Sequence, residues 1–163
     1  MPNDTAVKLH WYACEETDAI LATDVQIQNN TEQPIYPVDL RKPLYITVWW
    51  HSNGSTLYQR LLADVKFSYW GQLATGAECS FITIPTSGLL HHIDGCNLSH
   101  SCPLRPGNYH WVLQLLLTPF HEFLEYLGNN TVYELNISLL NNDTTTHEQL
   151  ACITVQFRCA NVY

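Results

Sequence analysis

Basic residues are scarce: seven Lys and Arg stand against fifteen Asp and Glu, a formal net charge of −8 with histidine neutral. That balance argues against a nucleic-acid binder, whose affinity comes largely from neutralising phosphates. It also sets the chain against anionic membranes at neutral pH. In an acidic compartment the eight histidines would cancel much of the charge, so membrane approach is expected to be favoured there. Long apolar runs are missing as well. The longest, Leu113 to Leu117 around Gln114, falls far short of the ~18 residues that a membrane-spanning helix needs. The start Met1-Pro2-Asn3-Asp4 has neither the basic residues nor the apolar stretch of a signal peptide. Catalytic signatures are absent: there is no G-x-S-x-G turn, no H-E-x-x-H and no phosphate-binding glycine loop. The paired carboxylates Glu15-Glu16 and Glu122/Glu125 read as solvated surface charge. The expectation is a protein that is not an enzyme and uses no cofactor.

What is present describes one globular unit over residues 1–163, with 46% hydrophobic and 13% charged residues and no repeat or linker. A chain of this length buries roughly two thirds of its unfolded surface. Six cysteines, an even number, fit an oxidising compartment. Seven of the twelve asparagines lie in glycosylation sequons, Asn3, Asn29, Asn53, Asn97, Asn129, Asn136 and Asn142, against roughly two expected by chance. A secreted or endolysosomal glycoprotein is the compartment reading.

Strand signals dominate. Leu61, Ala63, Val65, Phe67 and Tyr69 alternate with Leu62, Asp64, Lys66 and Ser68, and Tyr133, Leu135, Ile137 and Leu139 alternate with Glu134, Asn136 and Ser138. A period of two gives one buried and one wetter face, and it puts the Asn136 sequon on the outer one. Further strands are predicted near Lys8–Ala13, Ile20–Gln28, Leu44–His51, Glu78–Ile84, Tyr109–Leu117 and Leu150–Cys159. On the third, Leu44, Ile46, Val48 and Trp50 form the inward set; on the last, Ile153, Val155, Phe157 and Cys159 share a face. Eight short strands with turn-rich separators predict an all-β, two-sheet sandwich. One segment differs: Thr118 is placed to cap a helix with Pro119 at its first position, and Phe120, Phe123, Leu124 and Leu127 follow at helical spacing until Gly128.

The most specific stretch is Asp94-Gly95-Cys96 through Cys102-Pro103-Leu104-Arg105-Pro106-Gly107-Asn108-Tyr109, a stapled loop feeding an aromatic strand. It is followed by Leu139-Leu140-Asn141-Asn142-Asp143 and Leu150-Ala151-Cys152-Ile153-Thr154-Val155. In that order, from about Cys14 to Phe157, the chain resembles the ML-domain lipid-recognition family, which includes the Niemann-Pick sterol carrier and the ganglioside activator. The resemblance implies an immunoglobulin-like sandwich of two antiparallel sheets with a lipid cavity between them and one short helical segment near 119–127. It implies a Cys14–Cys152 bond joining the first and last strands and a Cys96–Cys102 bond in the loop. Cys79 and Cys159 would be left to pair, although six cysteines alone allow fifteen connectivities.

Under that resemblance the inward residues double as ligand contacts: Val48, Trp50, Val65, Phe67, Tyr69, Trp111, Leu113, Leu115, Ile137, Leu139, Ile153, Val155 and Phe157. The 120–127 segment is the expected mouth, with Phe120, Phe123, Tyr126 and Leu127 available for transient membrane contact. The same alternation fits a sandwich filled solid, and the same helix fits one simply packed on it. A lipid ligand, sterol, fatty acyl or glycolipid, is the expected partner, with a receptor or acceptor protein beside it. The alternative is an extracellular protein-interaction or co-receptor module. A metal cluster of His91, His92, Asp94, Cys96, His100 and Cys102 is not expected, because cysteines in an oxidising compartment are bonded and the histidines lack a repeated ligand spacing.

Overall fold

The computed structural model describes residues 5–15, 19–99 and 102–161; the Asn3 sequon and His100 lie outside them. Ten strands and two short helices follow in order: β1 His10–Ala13, β2 Ile20–Gln28, β3 Val38–Asp39, β4 Leu44–Ser52, β5 Leu61–Gly71, β6 Ser80–Thr83, β7 Ile93–Asp94, α1 Gly95–Ser99, β8 Gly107–Leu115, α2 His121–Leu127, β9 Val132–Asn141 and β10 Gln149–Asn161. One sheet runs β1-β10-β9-β5-β6, with β3 parallel to the end of β10 and β7 beside the start of β5; the other runs β2-β4-β8. Apart from the β3 pairing, the ladders are antiparallel.

Alternation decides which side chains meet. Phe67, Leu135, Val155 and Trp11 lie in one cross-strand row of the large sheet, because directly opposed residues point the same way. In the small sheet, Ile27, Ile46 and Leu113 make the facing row. The inward sets of β4 and β5 are buried as their spacing predicts, except Tyr69 near the end of β5, which is half-buried. Inside, Trp50 stacks on Trp111 at 5.0 Å, and Phe67, Tyr133 and Phe157 stack in sequence at 5.3 and 6.1 Å. Such large rings bring much apolar area into the core and add about 0.5–1.5 kcal/mol per pair beyond it. Strand β10 is buried on both faces: Cys152, Thr154 and Gln156 are as enclosed as Ile153 and Val155. Its polar groups find partners, with Gln156 donating to Glu134 at 2.7 Å and the Asn136 amide donating to Thr154 Oγ1 at 3.1 Å.

Two disulfides form, Cys14–Cys152 across 138 residues and Cys96–Cys102 across six. The expected third does not: Cys79 and Cys159 are both free thiols. Register explains why. Cys159 lies beside Thr131, which leads into β9; β9 pairs β5, and the end of β5 pairs Ser80, next to Cys79. Three strand spacings, roughly 14 Å, separate positions that a disulfide needs within about 7 Å.

The predicted helix exists, but its start is different. Thr118–Phe120 form a 3-10 turn with no side-chain cap, and α2 begins at His121. Gly128 ends it at φ 74°, with its N–H on the Leu124 and Glu125 carbonyls.

Candidate functional site

The residues predicted to line a cavity are brought together. Val48, Trp50, Val65, Phe67, Trp111, Leu113, Leu115, Ile137, Leu139, Ile153, Val155 and Phe157 all lie buried in one continuous apolar layer between the sheets, with Tyr69 half-buried at its margin. A side chain facing an empty space wider than water would keep accessible surface. These keep almost none, so the layer is closed.

Clefts run along both margins of the layer: one beside β8, of about 590 Å³, past Leu113, Leu116 and Phe120, and a larger one at the β1–β2 edge. β1 is an edge strand of the large sheet and β2 an edge strand of the small one. Between them runs a groove of about 690 Å³, within the ~300–1,000 Å³ of small-molecule sites. Its apolar wall consists of Leu9 and Trp11 from the β1 side, Val25 and Ile27 from β2, and Ile35 from the segment after it; Lys8, His10, Asp24 and Gln26 add polar atoms. Trp11, Val25 and Ile27 occupy inward rows, opposite Val155, Val48 and Ile46. Val25 and Ile27 are themselves buried and Trp11 half-buried, so the groove runs along the closed margin of the layer between the sheets. A register shift between Ala22 and Asp24 on β2 adjoins it, as bulges often adjoin sites by re-aiming side chains.

One end of the groove is fixed by the crossing between sheets. Ile35 donates its N–H to Ile27 at 3.0 Å, extending the small sheet, and Val38 then pairs with Cys159 in the large one. Tyr36 anchors the crossing. Its hydroxyl donates to the Thr5 carbonyl and accepts the Arg158 N–H. Burial pushes its pKa up, against a smaller lowering by Arg158. Beyond it, the Arg41 side chain grips Asp39 and holds that carboxyl below its ordinary value. On the opposite wall, the Cys14–Cys152 bond fastens β1 to β10.

Two polar atoms inside the layer are unmatched. Trp50 Nε1 and the Tyr133 hydroxyl are enclosed without a well-formed hydrogen bond, on residues 2% and 0% exposed. The Thr131 hydroxyl, which donates to the Leu127 and Gly128 carbonyls at 3.0 and 3.3 Å, is the polar group nearest in effect to the Tyr133 phenol, lowering its pKa slightly through a weak hydrogen bond. Burial raises the Tyr133 pKa strongly. Trp50 sits near the end of β4 that leads to β5, and Tyr133 at the start of β9, the opposite end of the sandwich. Each unsatisfied group disfavours the closed layer by about 1–3 kcal/mol.

The segment expected to form the mouth packs on the core and, at Phe120, lines the cleft beside β8 together with Leu113. Leu124 is fully buried, Phe120 and Leu127 pack on the core, and Phe123 meets Tyr69 edge-on at 5.7 Å; Tyr126 projects into solvent, 87% exposed. Asn53, Asn97 and Asn129 are exposed and Asn29, Asn136 and Asn142 half-buried. The Asn136 amide, on the outer face as its spacing predicts, contacts Thr154 and the Cys14 sulfur. None of the groove residues was among the ligand contacts expected from sequence. Their inward spacing on β1 and β2 was readable, but the gap between two edge strands is set by sheet geometry.

No protein-family model and no curated protein sequence matches this chain. Solved structures do. The C-terminal domain of wzt superposes with a TM-score of 0.48 at 7% identity, over 95% of this chain and 80% of that one. A Niemann-Pick type C2 protein from the Japanese carpenter ant superposes with a TM-score of 0.55 at 11% identity, over 92% of this chain and 98% of that one. The chain thus has the two-sheet fold of a Niemann-Pick type C2 protein, the architecture that its ML-domain resemblance implies.

Proposed function

We propose that the protein is a lipid carrier of secreted or endolysosomal fluid, which admits a hydrophobic ligand between its sheets through the β1–β2 groove. The observation that carries this reading is the groove itself, a solvent-open cleft along the gap between the two edge strands, with half-buried Trp11 on its wall and the buried inward-row residues Val25 and Ile27 directly beneath it. The buried, unpartnered Trp50 Nε1 and Tyr133 hydroxyl support it: a filled core has no reason to enclose both, whereas the polar group of a sterol or fatty acid would satisfy either. Two disulfides suit an oxidising lumen, and no described helix is long and apolar enough to cross a membrane.

No covalent chemistry is needed. Removing several hundred Å² of acyl or sterol surface from water at ~25 cal/mol/Å² gives on the order of 8 to 10 kcal/mol before entropic costs. Prising the sheets apart draws on part of that, and relief of the two unmatched polar atoms returns part. Specificity then lies in the shape of the slot and in which end receives the polar group.

The test is native mass spectrometry of protein from a eukaryotic secretion host, followed by extraction and a titration with fluorescent sterol and fatty acid. A stoichiometric ligand is expected, and Trp11→Glu should weaken binding at least tenfold while the far-ultraviolet spectrum is unchanged. Wild-type affinity in a folded Trp11→Glu protein would remove the groove as the entry. A ligand-free mass that persists after incubation with mixed lipid vesicles would favour the protein-interaction module instead.

A further inference from the structure

On the outer side of the large sheet, well away from the groove, four chemistry-bearing side chains converge from three chain segments. Asp64 stands on β5, His91 and His92 end the loop that returns from β6, and His147 comes from the β9–β10 turn. The Asp64 carboxylate accepts the His92 backbone N–H at 2.6 Å and lies 3.0 Å from His91 Nδ1. His92 is held at φ 52°, a region that a residue with a side chain seldom enters. This bend stacks the consecutive imidazoles 3.8 Å apart, and His147 meets His92 edge-on at 5.3 Å. One ligand atom from each of Asp64, His91 and His92 falls within 4.8 Å of the others.

We propose that Asp64, His91 and His92 form a surface site for one divalent cation of the zinc class. The donor set selects the metal: two imidazoles and a single carboxylate suit zinc or copper, whereas calcium and magnesium take all-oxygen shells. The spacing suits it too. Two ligands at zinc bond lengths in a tetrahedron stand about 3.3 Å apart, and Asp64 and His91 already approach to 3.0 Å. The positions left open fall to water or to His147. A bound ion would clamp the 85–92 loop to β5, and with His147 it would reach the β9–β10 turn. The site is independent of the lipid reading.

The experiment is calorimetric titration of the whole glycosylated chain with zinc sulfate alone and, separately, calcium chloride. A Cys79→Ser background removes the exposed thiol as a rival ligand. One equivalent of zinc and no calcium are expected to bind, with affinity falling at least tenfold in His91→Ala and in His92→Asn, the latter chosen because asparagine tolerates the left-handed backbone. His147→Ala distinguishes a protein ligand from water in the next position. Circular dichroism of each variant separates loss of ligand from loss of fold. Absence of saturable zinc uptake, or uptake unaltered in the folded His91→Ala/His92→Asn double variant, overturns the assignment.

Discussion

Tyr133 carries its hydroxyl into an apolar layer where it makes no well-formed hydrogen bond and only Thr131 acts on it weakly, so removing the oxygen should help the empty protein. Tyr133→Phe is expected to raise unfolding free energy by about 1 kcal/mol, read by urea denaturation, and to weaken binding of a ligand whose polar group reaches that end. A comparable loss of stability would mean that the hydroxyl is partnered. Tyr36 makes the contrasting case, a phenol used twice. Burial holds its folded pKa above the ordinary phenol value of about 10, so its contribution is intact below that value and lost as the phenol ionises at higher pH. The melting temperature should therefore fall from about pH 10 upward, less steeply in Tyr36→Phe, as a thermal scan across pH 8–11 would record. At this scale the inward residues were legible because alternation needs no knowledge of neighbours. The Cys79–Cys159 pair was misjudged because pairing depends on register across four strands. The His91–Asp64 contact was missed because the sequence separates its members by a whole hairpin.

At the scale of elements, α2 ends on a glycine whose backbone, φ 74° with ψ −179°, is essentially closed to residues with a Cβ. Nothing lies within 4 Å of a Cβ built there, so the penalty for Gly128→Ala is purely conformational, about 1–3 kcal/mol. Differential scanning calorimetry should show it as a lowered melting temperature; an unchanged value would show that the turn relaxes freely. The helix was readable from Pro119, Leu124 and Gly128. Its first turn was not, since a 3-10 start without a side-chain cap leaves no signature at Thr118. The two-residue strands β3 and β7 and the single turn of α1 are shorter than any periodicity can register. They exist because β10, β5 and the Cys96–Cys102 staple hold them in place.

For the whole molecule, the order of motifs carried the two-sheet architecture, while the groove emerged only when both sheets were assembled. Its β1 wall is tied to the far end of the chain by Cys14–Cys152. Loss of so long a loop closure, in Cys14→Ser/Cys152→Ser, should lower stability by about 2–5 kcal/mol and hasten ligand release; removing Cys96–Cys102, which closes only six residues, should do less. Denaturation curves with a ligand off-rate for each variant decide this. Cys159, a thiol embedded in the large sheet beside Val38, turns the same assembly into a timepiece. Its burial raises the thiol pKa strongly, which keeps it unreactive while the sheet is intact. With Cys79 replaced by serine, the rate at which a thiol reagent modifies Cys159 counts the openings of the sandwich, and a bound lipid should slow that count.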